Sequence, residues 1–182
     1  MSTRLPALFA VAILLAACGG GTPARPDDGA PAGPSATGTP AAGGDTSPPG
    51  DIPDNQAFVP YTPPGAHFTL KVPEGWSQTS HGRDVRFTDK LNSIELSWDT
   101  TVPPAPAGAK VSTVARKAGS AKRTTYLAQG QPDSVTGKTR TDAVERYEFT
   151  HSGRTVIVTL SGPKGADNVD PWRIVTDSVR WR

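Results

Sequence analysis

The sequence predicts an α+β fold in which an antiparallel sheet of about six strands carries two packed helices, preceded by a disordered tether. Three observations support this prediction. Apolar and polar residues alternate along several short segments, as in strands with one buried face. The connections between these segments are too short for parallel crossovers. Two other segments repeat their apolar residues at helical spacing.

The strands follow from period-two alternation. In the first of them Phe68, Leu70 and Val72 share one face, and Pro73-Glu74-Gly75 turns the chain. The clearest hairpin turns at His151-Ser152-Gly153. From this pattern strands are predicted at residues 66–72, 84–88, 93–99, 124–131, 140–150 and 154–161.

The helices are less regular in sequence. The first is predicted after the proline-rich loop 102–108, and it ends at Gly119. Its apolar positions are Val111, Val114, Ala115 and Ala118. The second begins with Asp170 as N-cap and Pro171 as first helical residue, and it runs to Trp181 at the end of the chain.

Residues 1–17 are predicted to be a lipoprotein signal peptide. Arg4 precedes the apolar run Leu5–Ala16, which is shorter than the roughly 20 residues that a membrane-spanning helix needs. The run ends in Leu15-Ala16-Ala17-Cys18, which resembles the bacterial lipobox. This resemblance implies cleavage before Cys18 and attachment of diacylglyceryl and further acyl chains such as palmitate, and two or more chains give a stable anchor. The alternative is a plain secretory signal with an incidental cysteine.

The rest of the chain divides into a tether over residues 18–64 and a folded domain over residues 65–182. The tether is rich in Gly, Pro, Ala and Thr and too poor in large apolar residues to fold. Residues 52–61 form a border zone whose aromatics pack on the domain, end the tether or bind a partner. The net charge of +2 is too small to indicate nucleic-acid binding. With Cys18 the only cysteine, no internal disulfide is expected.

Three segments of the domain resemble PsbP-like domains. They are the opening Phe68-Thr-Leu-Lys-Val-Pro-Glu-Gly-Trp76, the hairpin around Gly153 and the closing Trp172-Arg-Ile-Val-Thr-Asp-Ser-Val-Arg-Trp181. The family includes an extrinsic subunit of photosystem II, a Ran-binding import factor and many lipoproteins of high-GC Gram-positive bacteria (actinobacteria). The resemblance implies a binding or accessory role without catalysis, and it places no functional residue on this chain.

The sequence predicts no catalytic, metal or cofactor site. The three histidines have no metal-ligand spacing, and Ser80-His81 with Asp84 lacks the elbow motif of serine hydrolases. Glycan cleavage needs a pair of carboxylates, and the candidates in this sequence are interpreted as solvated charges of the sheet. These carboxylates are Glu95, Asp99, Glu145 and Glu148.

Three features are candidate binding sites, and each of them also has a purely structural explanation. Gly162-Pro-Lys-Gly165 precedes a helix, where an anion can bind, but a turn explains it. A basic group on the first helix faces either solvent or anionic lipid and wall polymer. This group is Arg116, Lys117, Lys122 and Arg123. The tryptophans are assigned to the core, or to a cleft between sheet and helix. They are Trp76, Trp98, Trp172 and Trp181.

Together these features predict a lipoprotein on the extracytoplasmic face of the cell membrane. Its domain is expected to bind a protein or envelope component without catalysis. The alternatives are a carrier of a small apolar or lipidic ligand, and a hydrolase of the cell wall. The expected partners are the membrane, through lipidated Cys18, and an unknown protein or envelope molecule, with no nucleic acid.

Overall fold

The computed structural model describes residues 48–130, 132 and 135–182. In this part of the chain there are ten strands and one helix. In order they are β1 (Phe58–Tyr61), β2 (Phe68–Pro73), β3 (Ser77–His81), β4 (Asp84–Asp89), β5 (Asn92–Trp98), β6 (Lys110–Arg116), β7 (Gly119–Gln129), β8 (Thr141–His151), β9 (Arg154–Pro163), α1 (Val169–Asp177) and β10 (Arg180–Trp181). Within this region no helix has the length and hydropathy to cross a membrane.

The strands form two antiparallel sheets. The small sheet has the order β1-β2-β10, and the large sheet has the order β3-β4-β5-β9-β8-β7-β6. Two-residue turns join β3 to β4, β4 to β5, β6 to β7 and β8 to β9. Such turns need unusual backbone angles. Lys90 and Ser152 accordingly have φ values of 40° and 50°.

The hydrophobic core lies on one face of the large sheet. Alternate residues of its central strands, such as Leu96 on β5 and Val158 on β9, are paired and fully buried. The small sheet and α1 cover them. Phe68 of β2 meets Trp98 edge to face at 6.0 Å, and Val175 of α1 joins the same cluster. The opposite surface of the large sheet, here called the outer face, has no helix on it.

The predicted α+β class is wrong, because the described fold is mostly β with one helix. The helix predicted at residues 111–118 is strand β6 followed by a two-residue turn. The β-branched residues Val111, Thr113 and Val114 favour a strand. Gly119, predicted to end the helix, is instead the first residue of β7. Pairing of all seven residues of β6 with β7 overrides the helical spacing of the small residues.

The six predicted strands are confirmed as β2, β4, β5, β7, β8 and β9, with shifted ends. The second predicted helix is confirmed as α1, but it begins at Val169 and stops at Asp177, not at Trp181. After it Ser178 ties the chain to β2, because its Oγ accepts from the Lys71 backbone N–H at 2.7 Å and donates to the Val175 carbonyl. Arg180–Trp181 then pair with β2.

Part of the segment assigned to the tether belongs to the fold. Ile52 is in the core, and Phe58–Tyr61 pair with β2, so the border zone packs on the domain. The predicted signal peptide, Cys18 and the tether up to residue 47 lie outside the described residues.

A group of buried amides, here called the asparagine node, joins three distant segments. Asn168, just before α1, accepts from the Ile52 N–H at 2.8 Å and donates to Asn92 Oδ1 and the Gly50 carbonyl, both at 3.0 Å. Asn92 donates to the same carbonyl at 2.9 Å. The node leaves no room at Gly162, where a Cβ atom would lie 2.4 Å from Asn92 Oδ1.

We expect Asn168→Asp to lower the free energy of unfolding by about 3 kcal/mol at pH 7, because it replaces two buried donor bonds with repulsion between oxygens. Urea denaturation measures this loss. Asn55→Asp, at an exposed position, is the control and should change stability by less than about 0.5 kcal/mol. Equal losses in both variants would show that the node does not carry this stability.

Candidate functional site

The outer face of the large sheet is covered by polar side chains. One row crosses four neighbouring strands through Arg86, Glu95, Thr159 and Arg146, which the register places side by side. Arg86 Nη1 lies 2.6 Å from Glu95 Oε1. The row continues to Thr124 on β7. Such a face is suited to polar contacts with another molecule.

Half of this face lies under the long connection from β5 to β6. This connection, residues 99–109 and here called the proline strap, must cross three strands to reach the sheet edge. Its Pro104 carbonyl accepts from Arg146 Nη1 at 3.5 Å. Beneath it the Arg146 side chain is only 5% exposed and lies 3.2 Å from Glu148 Oε1. The strap therefore leaves one half of the outer face open.

The open half forms a groove of about 520 Å³, here called the outer groove. It lies over β4, β5, β9, β8 and the far end of β7. Among the side chains lining it are Arg86, Glu95, Tyr126, Arg140, Asp142 and Thr159. Its lining is dominated by charged and hydroxyl groups, so it can make many hydrogen bonds to a ligand.

The charged groups of the groove are held in place by one another. Arg140 Nε donates to Asp142 Oδ1 at 2.8 Å, and its Nη2 donates to the Leu91 carbonyl at 2.7 Å. Asp142 also accepts from Ser161 Oγ at 3.4 Å. Lys90, on the rim, has no ion-pair partner among residues 48–130, 132 and 135–182. These groups are therefore preorganised and still have unused donors and acceptors.

Tyr126 supplies the aromatic surface of the groove. It pairs with Val144 on β8 and is half-buried, whereas Leu127, the next residue, points to the other face of β7 and is 56% exposed. An aromatic ring with an apolar face and a polar hydroxyl suits a ligand that combines both characters. Sequence reasoning assigned Tyr126 to a strand but gave it no function.

A second depression of about 460 Å³ lies beside α1. Its lining also consists mostly of charged side chains, with one exposed isoleucine. They include Lys71, Lys117, Arg173, Ile174, Asp177 and Arg180. The outer groove lacks the apolar lining that a carrier of lipidic ligands requires.

The serine, histidine and aspartate considered for catalysis do not form a triad. Ser80 and His81 are adjacent on β3, so their side chains point to opposite faces. Asp84 accepts a hydrogen bond from Ser97 Oγ at 2.6 Å. The pattern of residue types in sequence therefore has no catalytic geometry in the fold.

The four candidate carboxylates for glycan cleavage are held apart, each with its own cation. Glu145 and Glu148 lie on opposite faces of β8, because they are three residues apart. Glu148 Oε2 pairs with Lys122 at 2.9 Å. Asp99, at the start of the proline strap, pairs with Arg154 at 3.6 Å. Glu95 is the one that lines the outer groove, and it pairs with Arg86 there.

The histidines are scattered over the surface. His67, His81 and His151 are exposed, and the His151 ring stacks on Trp181 at 5.4 Å. Within the described ranges no three histidine, cysteine, aspartate or glutamate side chains converge to hold a metal ion.

The Gly162–Gly165 turn uses its backbone groups within the fold. The Lys164 N–H donates to the Thr141 carbonyl and the Ala166 N–H to the Pro163 carbonyl, at 2.9 and 3.1 Å. Trp98 and Trp172 are core residues. The turn and these tryptophans therefore contribute to the fold.

The basic group predicted to lie on one helix face lies on the β6–β7 hairpin. Three of its four members are paired: Arg116 with Asp177, Lys122 with Glu148 and Arg123 with Glu145. Lys117, at the turn, has no ion pair in the described part and joins the depression beside α1.

A buried tyrosine connects this hairpin to α1. Tyr147 Oη donates to Glu145 Oε2 at 2.5 Å and accepts from Arg116 Nη2 at 3.0 Å. Arg116 also donates to Thr176 of α1. Burial raises the pKa of Tyr147 above its ordinary value of 10.0, and the Glu145 carboxylate raises it further.

This raised pKa predicts a loss of stability at alkaline pH. Above about pH 10 the unfolded chain releases the Tyr147 proton before the folded chain does, so the free energy of unfolding falls as pH rises. Denaturant titrations between pH 8 and 11 should show this fall in the parent chain and a shallower one in Tyr147→Phe. Tyr126→Phe, a control on β7, should keep the steeper fall. Parallel curves for Tyr147→Phe and the parent would contradict the assignment.

Comparison with known proteins gives little further information. No family model matches the chain, and no curated protein matches it. Among solved structures, a crystal structure of a protein from Bacteroides thetaiotaomicron matches with a TM-score of 0.49 and 15% identity. The match covers 68% of this chain and 48% of that one. The resemblance to PsbP-like domains therefore stays a prediction.

Proposed function

We propose that the chain is an extracytoplasmic lipoprotein, anchored to the cell membrane by acyl chains on Cys18, whose folded domain binds an envelope polysaccharide without catalysis. The observation that carries the proposal is the outer groove, where ordered charged pairs, hydroxyls and one tyrosine line an open surface. A saccharide is a matching ligand because it offers hydroxyl groups as both donors and acceptors.

The shape of the groove favours a chain-like ligand over a small enclosed one. It is open to solvent and runs across several strands of the sheet. Arg86 and Arg140 offer donors, while Glu95 and Asp142 offer acceptors. The ring of Tyr126 offers an apolar face on which the C–H side of a sugar can stack.

A binding role without catalysis is supported by the separation of the candidate catalytic groups. Ser80 and His81 point to opposite faces of β3, Asp84 on β4 is bonded to Ser97, and each candidate carboxylate has a different cation partner. The polar lining of the outer groove supports this role over that of a carrier of an apolar ligand.

The lipid anchor places such a domain next to its ligand. The Leu-Ala-Ala-Cys sequence after a short apolar run supports lipidation of Cys18. Residues 19–47 lie between Cys18 and the first described residue, and this number of residues allows the domain to stand off the membrane surface.

We expect Tyr126→Ala to lower affinity for cell-wall polysaccharide about tenfold, which is about 1.4 kcal/mol. The measurement is co-sedimentation of a chain starting at Gly19 with insoluble walls of a high-GC Gram-positive bacterium after protease treatment. Leu127→Ala is the matched control, because this exposed neighbour lies on the opposite face of β7. Binding to untreated walls alone would identify a protein partner and refute the polysaccharide.

We expect Cys18→Ser to move the full-length protein from the membrane fraction to the soluble or secreted fraction, because the thiol that carries the lipid is lost. Membrane fractionation and intact-mass spectrometry measure this change. Ser2→Ala, at a position without the lipidation thiol, is the control and should leave the protein in the membrane fraction. A parent protein whose mass shows an unmodified Cys18 would contradict the anchor.

A further inference from the structure

We propose that the edge strand β6 binds an acidic, extended segment of a partner protein, which adds to the large sheet as a further strand. This surface is distinct from the outer groove and does not depend on the polysaccharide.

Strand β6 ends the large sheet, with β7 as its one neighbour. In an antiparallel pair every second residue directs its backbone N–H and C=O groups away from the partner. On β6 these groups have no strand beside them in the described structure. The side chains are mostly exposed as well, and Val111 is 53% exposed.

The sequence of β6 lacks most of the features that protect an edge strand. It contains no proline or glycine, and all seven residues pair with β7 without a bulge. It carries the β-branched residues Val111, Thr113 and Val114. The opposite edge, β3, is shorter and wholly polar, with the sequence Ser-Gln-Thr-Ser-His. Of the two edges, β6 is therefore the better template for an added strand.

The positive charge around β6 favours an acidic partner. The sequence from residue 100 to residue 132 holds five lysines and arginines and no aspartate or glutamate. Arg116, Lys122 and Arg123 are paired within the fold. Lys110, the first residue of β6, and Lys117, in the turn just after β6, have no ion pair among the described residues. An acidic strand would meet a lysine at each end, whereas a second copy of this chain would bring like charges together.

The length of β6 fits a short linear segment. Seven residues of strand span roughly 20 Å, the reach of one peptide strand added to an edge. Main-chain hydrogen bonds give such a complex most of its affinity, and the lysines make it prefer acidic sequences.

The probe is the soluble peptide acetyl-Glu-Val-Glu-Thr-Glu-Val-Glu-Thr-amide, added to a chain starting at Gly19. Hydrogen exchange measured by NMR should show protection of alternate backbone amides in β6, and none in β3. The double variant Lys110→Glu with Lys117→Glu should weaken binding at least tenfold. A peptide with lysine in place of glutamate should not bind.

Lys138→Glu with Lys164→Glu is the matched control, since it makes the same change of charge at two other exposed lysines. An equal loss of affinity in this control would overturn the proposal, because attraction would then depend on net charge alone. Protection outside β6, or dimerisation of the free chain through β6, would also overturn it. If the double variant unfolds, Lys110→Gln and Lys117→Gln replace it. Tyr126→Ala should bind the peptide normally, which separates this test from that of the outer groove.

Discussion

The buried hydrogen bond between Asn168 and Asn92 is the constraint on which the arrangement of this fold depends. A buried amide is costly unless it is hydrogen-bonded, and the bonds of the asparagine node join the segment at Gly50–Ile52, the start of β5 and the start of α1. With α1 fixed beside β5, its apolar residues cover the inner face of the large sheet. The outer face is left without a helix.

That asymmetry explains the chemistry of the outer face. A sheet with one covered side must present polar residues on the other, unless a second layer covers it. Here the proline strap covers half, and the charges beneath it, Arg146 and Glu148, are paired there. The other half is the outer groove. The groove is therefore polar because the one helix covers only the inner face of the large sheet.

The sequence allowed most central strands to be predicted, because their alternation directly reflects one buried face. It did not allow β3 or β6 to be predicted. Edge strands bury little, so β3 has no apolar residue, and the small apolar residues of β6 fit a helix as well as a strand. The groove could not be predicted either. It spans the ladder between β5 and β9, which are distant in sequence, and Tyr126 lines it through the pairing of β7 with β8. The anchor at Cys18 rests on a local motif and stays a prediction.

The strand order also has a consequence for how the molecule is assembled. The meander β3–β5 and the meander β6–β9 are each local in sequence, and in the large sheet they meet at one ladder, between β5 and β9. During synthesis more than fifty residues must follow β5 before β9, its second partner strand, is made. That ladder joins the two meanders into one sheet. It closes late, and the apolar side of β5 stays exposed until it does.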